Sequence, residues 1–400
     1  MGESRSVLKE RNVQLYFSGL LLSYFGTTAM SLVVGVWVKT LTGSNSLAGL
    51  VGLCMWLPVP LAPAIGLVAD RVRRRRLLVV TNLAMVAVLA PLLLVDGPAM
   101  LWLVFAVMTL YGVEGVLVTA AEPPLLTAML PADQLTRING LRMSLQEGMK
   151  LVAPAAGTAL FLAWGAHPVV VLDAATFAAA GLATMSIRVA EPAPTRRTER
   201  WSTQVAEGLR YLVGQPVLRR MMIGSPVAMF VAGVAGTAGW ALVDQGMHRA
   251  PTFMGVLAPV QGAGSVVAGL LAATLARRIG TARLVGVGMA IVAGGVAFRV
   301  FPTLPTVLAG TVCNGVGLVW VIIGALTLVQ QITPNELLGR TSATMSTLVY
   351  GGTPVGIALG SGLAGVLDFR VIFGALAVLA GGAAALLLRR AGTPAEPVPA

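Results

Sequence analysis

The stretch GLVADRVRRRRLL, from Gly66 to Leu78, interrupts a sequence that is almost wholly apolar on both sides of it. It contains one aspartate, Asp70, followed by five arginines. The whole chain is 56% hydrophobic and 11% charged, with a mean hydropathy of +0.84. A soluble chain carries roughly 25% charged residues, and a water-soluble fold cannot hide this much apolar surface. The stretch is therefore predicted to be a short charged loop between two membrane-spanning helices.

Apolar runs on both sides of this loop set the number of spans. A helix needs about 20 apolar residues to cross the hydrocarbon of a bilayer. The sequence contains twelve such runs, at approximately 13–38, 47–69, 77–95, 99–122, 142–164, 168–187, 220–244, 252–275, 282–301, 303–328, 341–366 and 370–389. The predicted fold class is all-α integral membrane with twelve transmembrane helices.

The basic residues predict the orientation of these spans. If the N-terminus is inside, 24 of the 28 Lys and Arg residues lie in inside segments. Such a bias predicts a multi-pass protein of the plasma membrane with both termini in the cytoplasm. The formal net charge of +12 is spread over short clusters rather than a basic domain. We therefore expect contacts with membrane lipids and none with nucleic acid.

Two segments recur about half a chain apart. PADQLTR begins at Pro131 and PNELLGR at Pro334, 203 residues later, and the same offset places Arg74 on Arg277. One offset for separate matches predicts two pseudo-symmetric six-helix bundles of the same orientation. The predicted parts are a bundle over 1–187, a cytoplasmic linker over 188–219 with an interfacial helix, a bundle over 220–390 and a disordered tail over 391–400.

Four stretches of the chain resemble those of major facilitator superfamily transporters, most closely the bacterial branch of siderophore and macrolide exporters. They are GLVADRVRRRRLL (66–78), LTGSNSLAGLV (41–51), AEGLRYLVGQPVLRRMM (206–222) and LPADQLTRINGLRMS (130–144). The resemblance implies a monomeric secondary transporter with alternating access. Its substrate would be a small amphipathic organic molecule (a drug, antibiotic or siderophore-like metabolite), exported by proton antiport.

The charged residues at the cytoplasmic end of the first bundle are candidates for a gate. Asp70 ends the second span, Arg74 follows four residues later, and Glu122 ends the fourth span. The resemblance implies that Asp70 faces the eleventh span and that Arg74 pairs with Asp70 and Glu122, closing the cytoplasmic side. The alternative is that these charges only fix topology and cap helix ends.

Acidic residues inside spans are candidates for proton coupling, because they are costly there and usually face a cavity or a partner. Glu114 lies about two-thirds of the way along the fourth span, and Asp173 lies near the outer end of the sixth. Alternatively, Glu114 is a hydrogen-bonded structural acid and Asp173 a helix cap. Tyr111 stands where the resemblance to proton-linked exporters implies an arginine. Arg299, near the outer end of the ninth span, is expected to snorkel.

Proline and glycine residues are candidates for helix flexing between inward and outward states: Pro154, Gly157, Pro354 and Gly356. Ordinary packing of small residues explains them equally well. Tyr24 and Phe25 are candidates for a substrate cavity, with lipid-facing or core positions as the alternative.

The sequence gives no indication of an enzyme. It has no Gly-Lys-Ser phosphate loop, and its two Cys and two His residues form no cluster with metal-ligand spacing. We therefore expect no cofactor and no metal. The alternatives to an exporter are a non-transporting membrane sensor or assembly factor on the same scaffold, or an importer of a small metabolite.

Overall fold

The computed structural model describes residues 10–62, 64–65, 71–189, 191 and 201–388. Over these residues the regular secondary structure is entirely helical. Helix packing divides the chain into two compact units. The first comprises the described residues of Met1–Thr198 and of Pro251–Pro259, and the second those of Glu199–Ala250 and Val260–Ala400.

The first unit begins with a 32-residue helix and continues through five more. These helices are α1 (Arg11–Thr42), α2 (Asn45–Trp56), α3 (Arg74–Leu89), α4 (Leu101–Met129), α5 (Ala132–Trp164) and α6 (His167–Ser186). α1 ends because Gly43 adopts φ of 69°, in the left-handed region that favours glycine. The Lys39 ammonium donates a 2.6 Å hydrogen bond to the Gly43 carbonyl and so closes this turn.

The second unit begins with a short helix from the linker. The helices are α7 (Trp201–Gly214), α8 (Pro216–Ala241), α9 (Met254–Ile279), α10 (Thr281–Phe298), α11 (Leu304–Ile332), α12 (Asn335–Leu363) and α13 (Phe369–Leu388). The first six residues of α9 belong to the first unit and the rest to the second. A π-helical turn, Leu242–Gly246, extends α8.

Nine helices in the described part of the chain are long and apolar enough to cross a membrane. They correspond to α1, α3, α4, α6, α8, α9, α10, α11 and α13. The all-α membrane fold predicted from the sequence is thus confirmed. The count of twelve stays a prediction, because α5 and α12 fall outside this group and the described part of α2 is short.

Both units use the same helix neighbours. α1 packs on α5 and α6 as α8 packs on α12 and α13, and α3 packs on α4 and α6 as α10 packs on α11 and α13. Glycine permits the closest of these approaches. A Cβ atom on Gly157 of α5 would lie 2.9 Å from the Ala29 Cβ, and one on Gly360 of α12 would lie 2.9 Å from the Val234 Cα. These two glycines are 203 residues apart, so the sequence offset is also an offset in packing.

The boundaries of the fourth and fifth spans differ from those predicted. α4 continues through Pro123 and Pro124 to Met129, and α5 begins at Ala132, well before the apolar run at 142. Membrane helices tolerate proline because neighbouring helices can satisfy the freed backbone groups. As a result, Glu114 lies near the middle of α4 rather than two-thirds of the way along it.

Candidate functional site

A buried acidic cluster lies between α4 and α6 in the first unit. The Tyr111 hydroxyl of α4 donates a 2.9 Å hydrogen bond to Oδ2 of Asp173 in α6. Thr176, one turn further along α6, donates to the Asp173 carbonyl at 2.8 Å. Glu114 lies three residues beyond Tyr111, one turn along the same face of α4. Only 1% of Asp173 and 7% of Glu114 is exposed, so both acids are in the interior.

α1 closes this acidic cluster from the third side. A Cβ atom on Gly26 would lie 2.5 Å from Oδ1 of Asp173 and would overlap Thr176, so a glycine is needed for α1 to approach. The Phe177 ring packs edge-on against Tyr111, with the ring centroids 5.6 Å apart. Asp173 lies six residues beyond the start of α6 at His167, and the N-cap residue is Ala166. It is therefore a buried hydrogen-bonded acid and not a helix cap.

Glu114 forms no salt bridge with any residue that the structure describes. An ionised carboxylate in an apolar interior is expensive unless a cation or hydrogen-bond donors compensate its charge. A carboxylate in this position is suited to binding and releasing a proton, or to pairing with a cationic group of a ligand. The arrangement places that chemistry near the middle of α4.

A buried ion pair lies nearer the C-terminal end of the same helix. Nη1 of Arg142 in α5 donates to Oε2 of Glu122 at 2.6 Å, and 7% of the Glu122 side chain is exposed. Tyr16 and Tyr24 of α1 lie beside this pair. The sequence had suggested Arg74 as the partner of Glu122. Glu122 lies seven residues inside the end of α4, and Arg142 lies ten residues inside the start of α5, so the two side chains reach the same depth.

Arg74 and Arg75 begin α3, and their backbone N–H groups donate to Oε2 and Oε1 of Glu191 at 2.5 and 2.9 Å. The carboxylate thus satisfies two of the unpaired N–H groups at the positive end of the helix. The side chain of Arg75 also contacts the end of α6. Its Nε donates to the Thr184 carbonyl at 3.2 Å, and its Nη2 donates to the Met185 carbonyl. We call Arg74, Arg75 and Glu191 with these two carbonyls the α3–α6 clamp.

Glu191 carries no signal in the sequence, because an acid beyond the last apolar residue resembles any linker residue. Asp70 lies outside the described residues, and its predicted pairing with Arg74 stays a prediction. Glu147 and Lys150 of α5 form a 2.6 Å salt bridge three residues apart on the same helix.

The predicted flexing residues occupy helix contacts. Pro154 and Gly157 are buried in α5, and Pro354 and Gly356 are buried in α12. A Cβ atom on Gly356 would overlap the backbone of Phe230 in α8. Close packing thus accounts for both glycines, and flexing at these positions stays a prediction.

Tyr24 and Phe25 are half-buried. Tyr24 packs against an apolar cluster that includes Val13, Tyr16, Leu20 and Leu126. Their role in a substrate cavity stays a prediction. Tyr111 was not predicted to belong to the site. Its position one turn before Glu114 on the same helix is the feature of the sequence that indicates it.

The second unit has a different buried charge. Arg299 is 7% exposed, its Nη2 donates to Oγ1 of Thr311 at 3.1 Å, and its guanidinium lies 5.9 Å from the centroid of the Phe373 ring. The expectation that Arg299 snorkels was wrong, because the hydroxyl and the ring stabilise it in the interior. The buried acids among the described residues are Glu114, Glu122 and Asp173, all in the first unit.

Comparison with known proteins gives a family and several relatives. The model of the Major Facilitator Superfamily matches residues 16–247 and 222–400. The multidrug efflux pump Tap of Mycobacterium tuberculosis is 28% identical over 370 residues, which are 87% of this chain and 86% of that protein. Macrolide efflux protein A of Streptococcus pyogenes is 23% identical over 176 residues, 43% of this chain and 44% of that protein.

Solved transporter structures share the fold at low sequence identity. A bacterial homologue of the iron transporter ferroportin in its inward-facing state gives a TM-score of 0.72 at 16% identity, with 96% of this chain and 100% of that chain covered. The nucleoside transporter NupG gives a TM-score of 0.74 at 15% identity, with coverages of 95% and 99%. At these identities the likeness concerns the fold alone.

Proposed function

The chain belongs to the Major Facilitator Superfamily, and from that premise we propose that it is a secondary transporter that exports a small amphipathic organic compound in exchange for protons. The relatives named as multidrug and macrolide efflux proteins support a drug, an antibiotic or a similar metabolite as the substrate. We place the protein in the cell membrane with both termini in the cytoplasm, on the basis of its charge distribution. We propose that it acts as a monomer, as the family resemblance implies.

The observation that carries this proposal is the buried acidic cluster around Glu114. Proton antiport needs a group that binds a proton from one side of the membrane and releases it to the other. Glu114 lies 13 residues into a 29-residue helix, or about 20 Å along an axis about 43 Å long at 1.5 Å per residue. It is therefore close to the midpoint of α4, which lies at the middle of the roughly 30 Å hydrocarbon layer if the helix is centred on that layer. In the proposal Glu114 carries the proton.

Asp173 has a second role in this proposal. Hydrogen bonds from Tyr111 and Thr176 fix its position, and Glu114 lies one turn of α4 from Tyr111. Two carboxylates buried in one cluster do not readily hold two charges in a low-dielectric interior, so one of them is expected to hold a proton. A cationic or hydrogen-bonding substrate that reaches the cluster would compete with that proton, which couples the two fluxes.

We assign the gate to the inner end of the first unit. The Glu122–Arg142 pair and the α3–α6 clamp lie there, and the predicted Asp70–Arg74 pair would join them. When helices move between two states, charge-assisted hydrogen bonds of this kind break in one state and are replaced by a different set in the other. We propose that the sets differ between the inward-open and outward-open states, and that Pro154 and Pro354 provide the bends.

The energy available to such an exporter can be stated. A difference of one pH unit is worth about 1.36 kcal/mol per proton. One proton exchanged per substrate therefore sustains roughly a tenfold substrate gradient per pH unit.

Inverted membrane vesicles test the proposal, because their outer face is the cytoplasmic one and their lumen can be acidified. The probes are radiolabelled erythromycin and tetracycline, and vesicles lacking the protein are the control. We expect accumulation of a probe in the acidified vesicles and its loss when nigericin collapses the pH gradient. Accumulation that survives nigericin would contradict proton coupling. Movement out of the lumen would indicate an importer, and no protein-dependent movement of either probe would favour a sensor or assembly factor.

A further inference from the structure

The linker helix α7 is held in a fixed rotation against α12. Gly208 and Leu212 form its buried edge, and a Cβ atom on Gly208 would lie 2.8 Å from the Arg340 carbonyl oxygen. Glu207 forms an ion pair with the Arg340 guanidinium, and the Tyr211 hydroxyl donates a 2.8 Å hydrogen bond to the Ile332 carbonyl at the end of α11. These contacts flank the buried edge on one side. They determine where every other face of α7 points.

The opposite flank of α7 is an exposed apolar stripe. Val205, Leu209 and Val213 recur every four residues and are 38%, 39% and 45% exposed. Successive residues turn by about 100° around a helix, which places the stripe roughly a quarter of a turn from the buried edge. Three large apolar side chains on a 14-residue helix would be costly in water, so this stripe needs an occupant.

The charges around the stripe indicate what that occupant is. Arg210 is exposed on the face next to the stripe. The chain carries Arg196, Arg197 and Arg200 just before α7, and Arg219 and Arg220 just after it, against Glu199 and the paired Glu207. A helix with an apolar stripe and basic flanks binds the boundary between headgroups and acyl chains. Basic residues close to the surface strengthen this binding when the lipid is anionic.

We propose that α7 is a lipid-contacting helix whose stripe of Val205, Leu209 and Val213 enters the surface of an anionic leaflet beside α12. The bilayer is within reach because α8, the next helix, is among the membrane-spanning helices. Since Glu207, Gly208 and Tyr211 fasten α7 to α12 and to the end of α11, the depth of α7 in the leaflet determines the position of these helix ends. Anionic lipid thereby stabilises one arrangement of the second unit.

Quenching by brominated lipid tests the contact directly. A bimane fluorophore is attached at Leu209→Cys in a chain whose native Cys54 and Cys313 are replaced by alanine. The protein is reconstituted in mixtures of phosphatidylcholine and phosphatidylglycerol. In one sample the acyl chains of phosphatidylglycerol are brominated, in a second those of phosphatidylcholine, and in a third neither lipid is brominated. The control is Gly214→Cys, an exposed position about 140° around α7 from Leu209, where an added Cβ atom has no neighbour within 4 Å. We expect strong quenching at position 209 and little at 214.

The effect of lipid charge is tested with the same label. Replacing Arg210 with glutamine should weaken quenching at 209 by brominated phosphatidylglycerol, with a smaller effect for brominated phosphatidylcholine. Equal quenching at 209 and 214 would overturn the proposal. So would a label at 209 that no brominated lipid quenches, since the stripe would then be covered by protein. The measurement needs no transport, so it can fail while the proposed export function stands, and the reverse also holds.

Discussion

Gly157 in the first unit and Gly360 in the second occupy matching positions, and each lets two helices approach within backbone contact. The acids of the first unit have no such counterparts. At the same offset of 203 residues, Glu114, Glu122 and Asp173 correspond to Gly317, Ala325 and Leu376. The repeat therefore preserves the packing of the helices and not their chemistry. Burying an acid costs free energy that apolar packing does not recover, which is consistent with its restriction to the unit proposed to couple to protons.

The helix ends that are predicted to face the cytoplasm differ in the same way between the two units. The N-terminus of α3 is capped by the carboxylate of Glu191, whereas α10 begins after Gly280 without a side-chain cap. Gly280 has φ of 87°, so the turn into α10 depends on backbone freedom rather than on charge. The start of α3 in the first unit is thus fixed by polar contacts, and the start of α10 in the second unit is not.

The largest effect is expected when one residue of the first unit is replaced by the residue at the matching position of the second unit. Arg142 corresponds to Met345, and Arg142→Met leaves Glu122 buried without its cation. Breaking a buried pair costs about 3–5 kcal/mol. We expect a marked fall in the unfolding temperature of the detergent-solubilised protein, followed by tryptophan fluorescence. Combining Arg142→Met with Glu122→Gln should restore part of the loss, and a single variant as stable as the wild type would contradict this account of the pair.

The shared packing should respond equally in both units. Gly157→Ala and Gly360→Ala each force a methyl group into a helix contact, at a cost of about 1–3 kcal/mol. Gly140→Ala, also on α5, is the control, because its Cβ atom would have no neighbour within 4 Å. Alanine there should leave stability unchanged or raise it by up to about 1 kcal/mol. The measurement is the same thermal unfolding. If only one of the two glycine variants is destabilised, the two units share the geometry of the helix contact but not its contribution to stability.

A smaller effect is expected at the α3–α6 clamp. Glu191→Gln removes the charge that faces the positive end of α3, a loss of about 0.5–2 kcal/mol. Hydrogen–deuterium exchange should become faster at the start of α3 and stay unchanged at the start of α10. Glu147→Gln, an acid paired only with Lys150 on the same helix, should change neither. Unchanged exchange at α3 in the Glu191 variant would contradict the assigned cap.

The sequence predicted those features that depend on local pattern. Apolar runs indicated the helices, the 203-residue offset indicated the repeat, and cost of burial singled out Glu114 and Asp173. It did not predict that α4 passes through Pro123 and Pro124, because neighbouring helices decide whether proline ends a membrane helix.

Partner choice was the other feature beyond local pattern. Arg142 pairs with Glu122 and Tyr111 with Asp173 because side chains on different helices reach the same depth. That depth follows only from the packed bundle. For the same reason the burial of Arg299 beside Thr311 and Phe373 had no signal along the chain.

The most direct test of the central claim compares two transport activities of the Glu114→Gln variant in proteoliposomes. One is accumulation of the exported probe driven by a pH gradient, and the other is exchange of labelled for unlabelled probe without a gradient. If Glu114 carries the proton, the variant retains exchange and loses the roughly tenfold accumulation per pH unit, while Glu147→Gln behaves as the wild type. Accumulation by Glu114→Gln at the wild-type level, with unchanged dependence on the gradient, would contradict the assignment of the transported proton to Glu114.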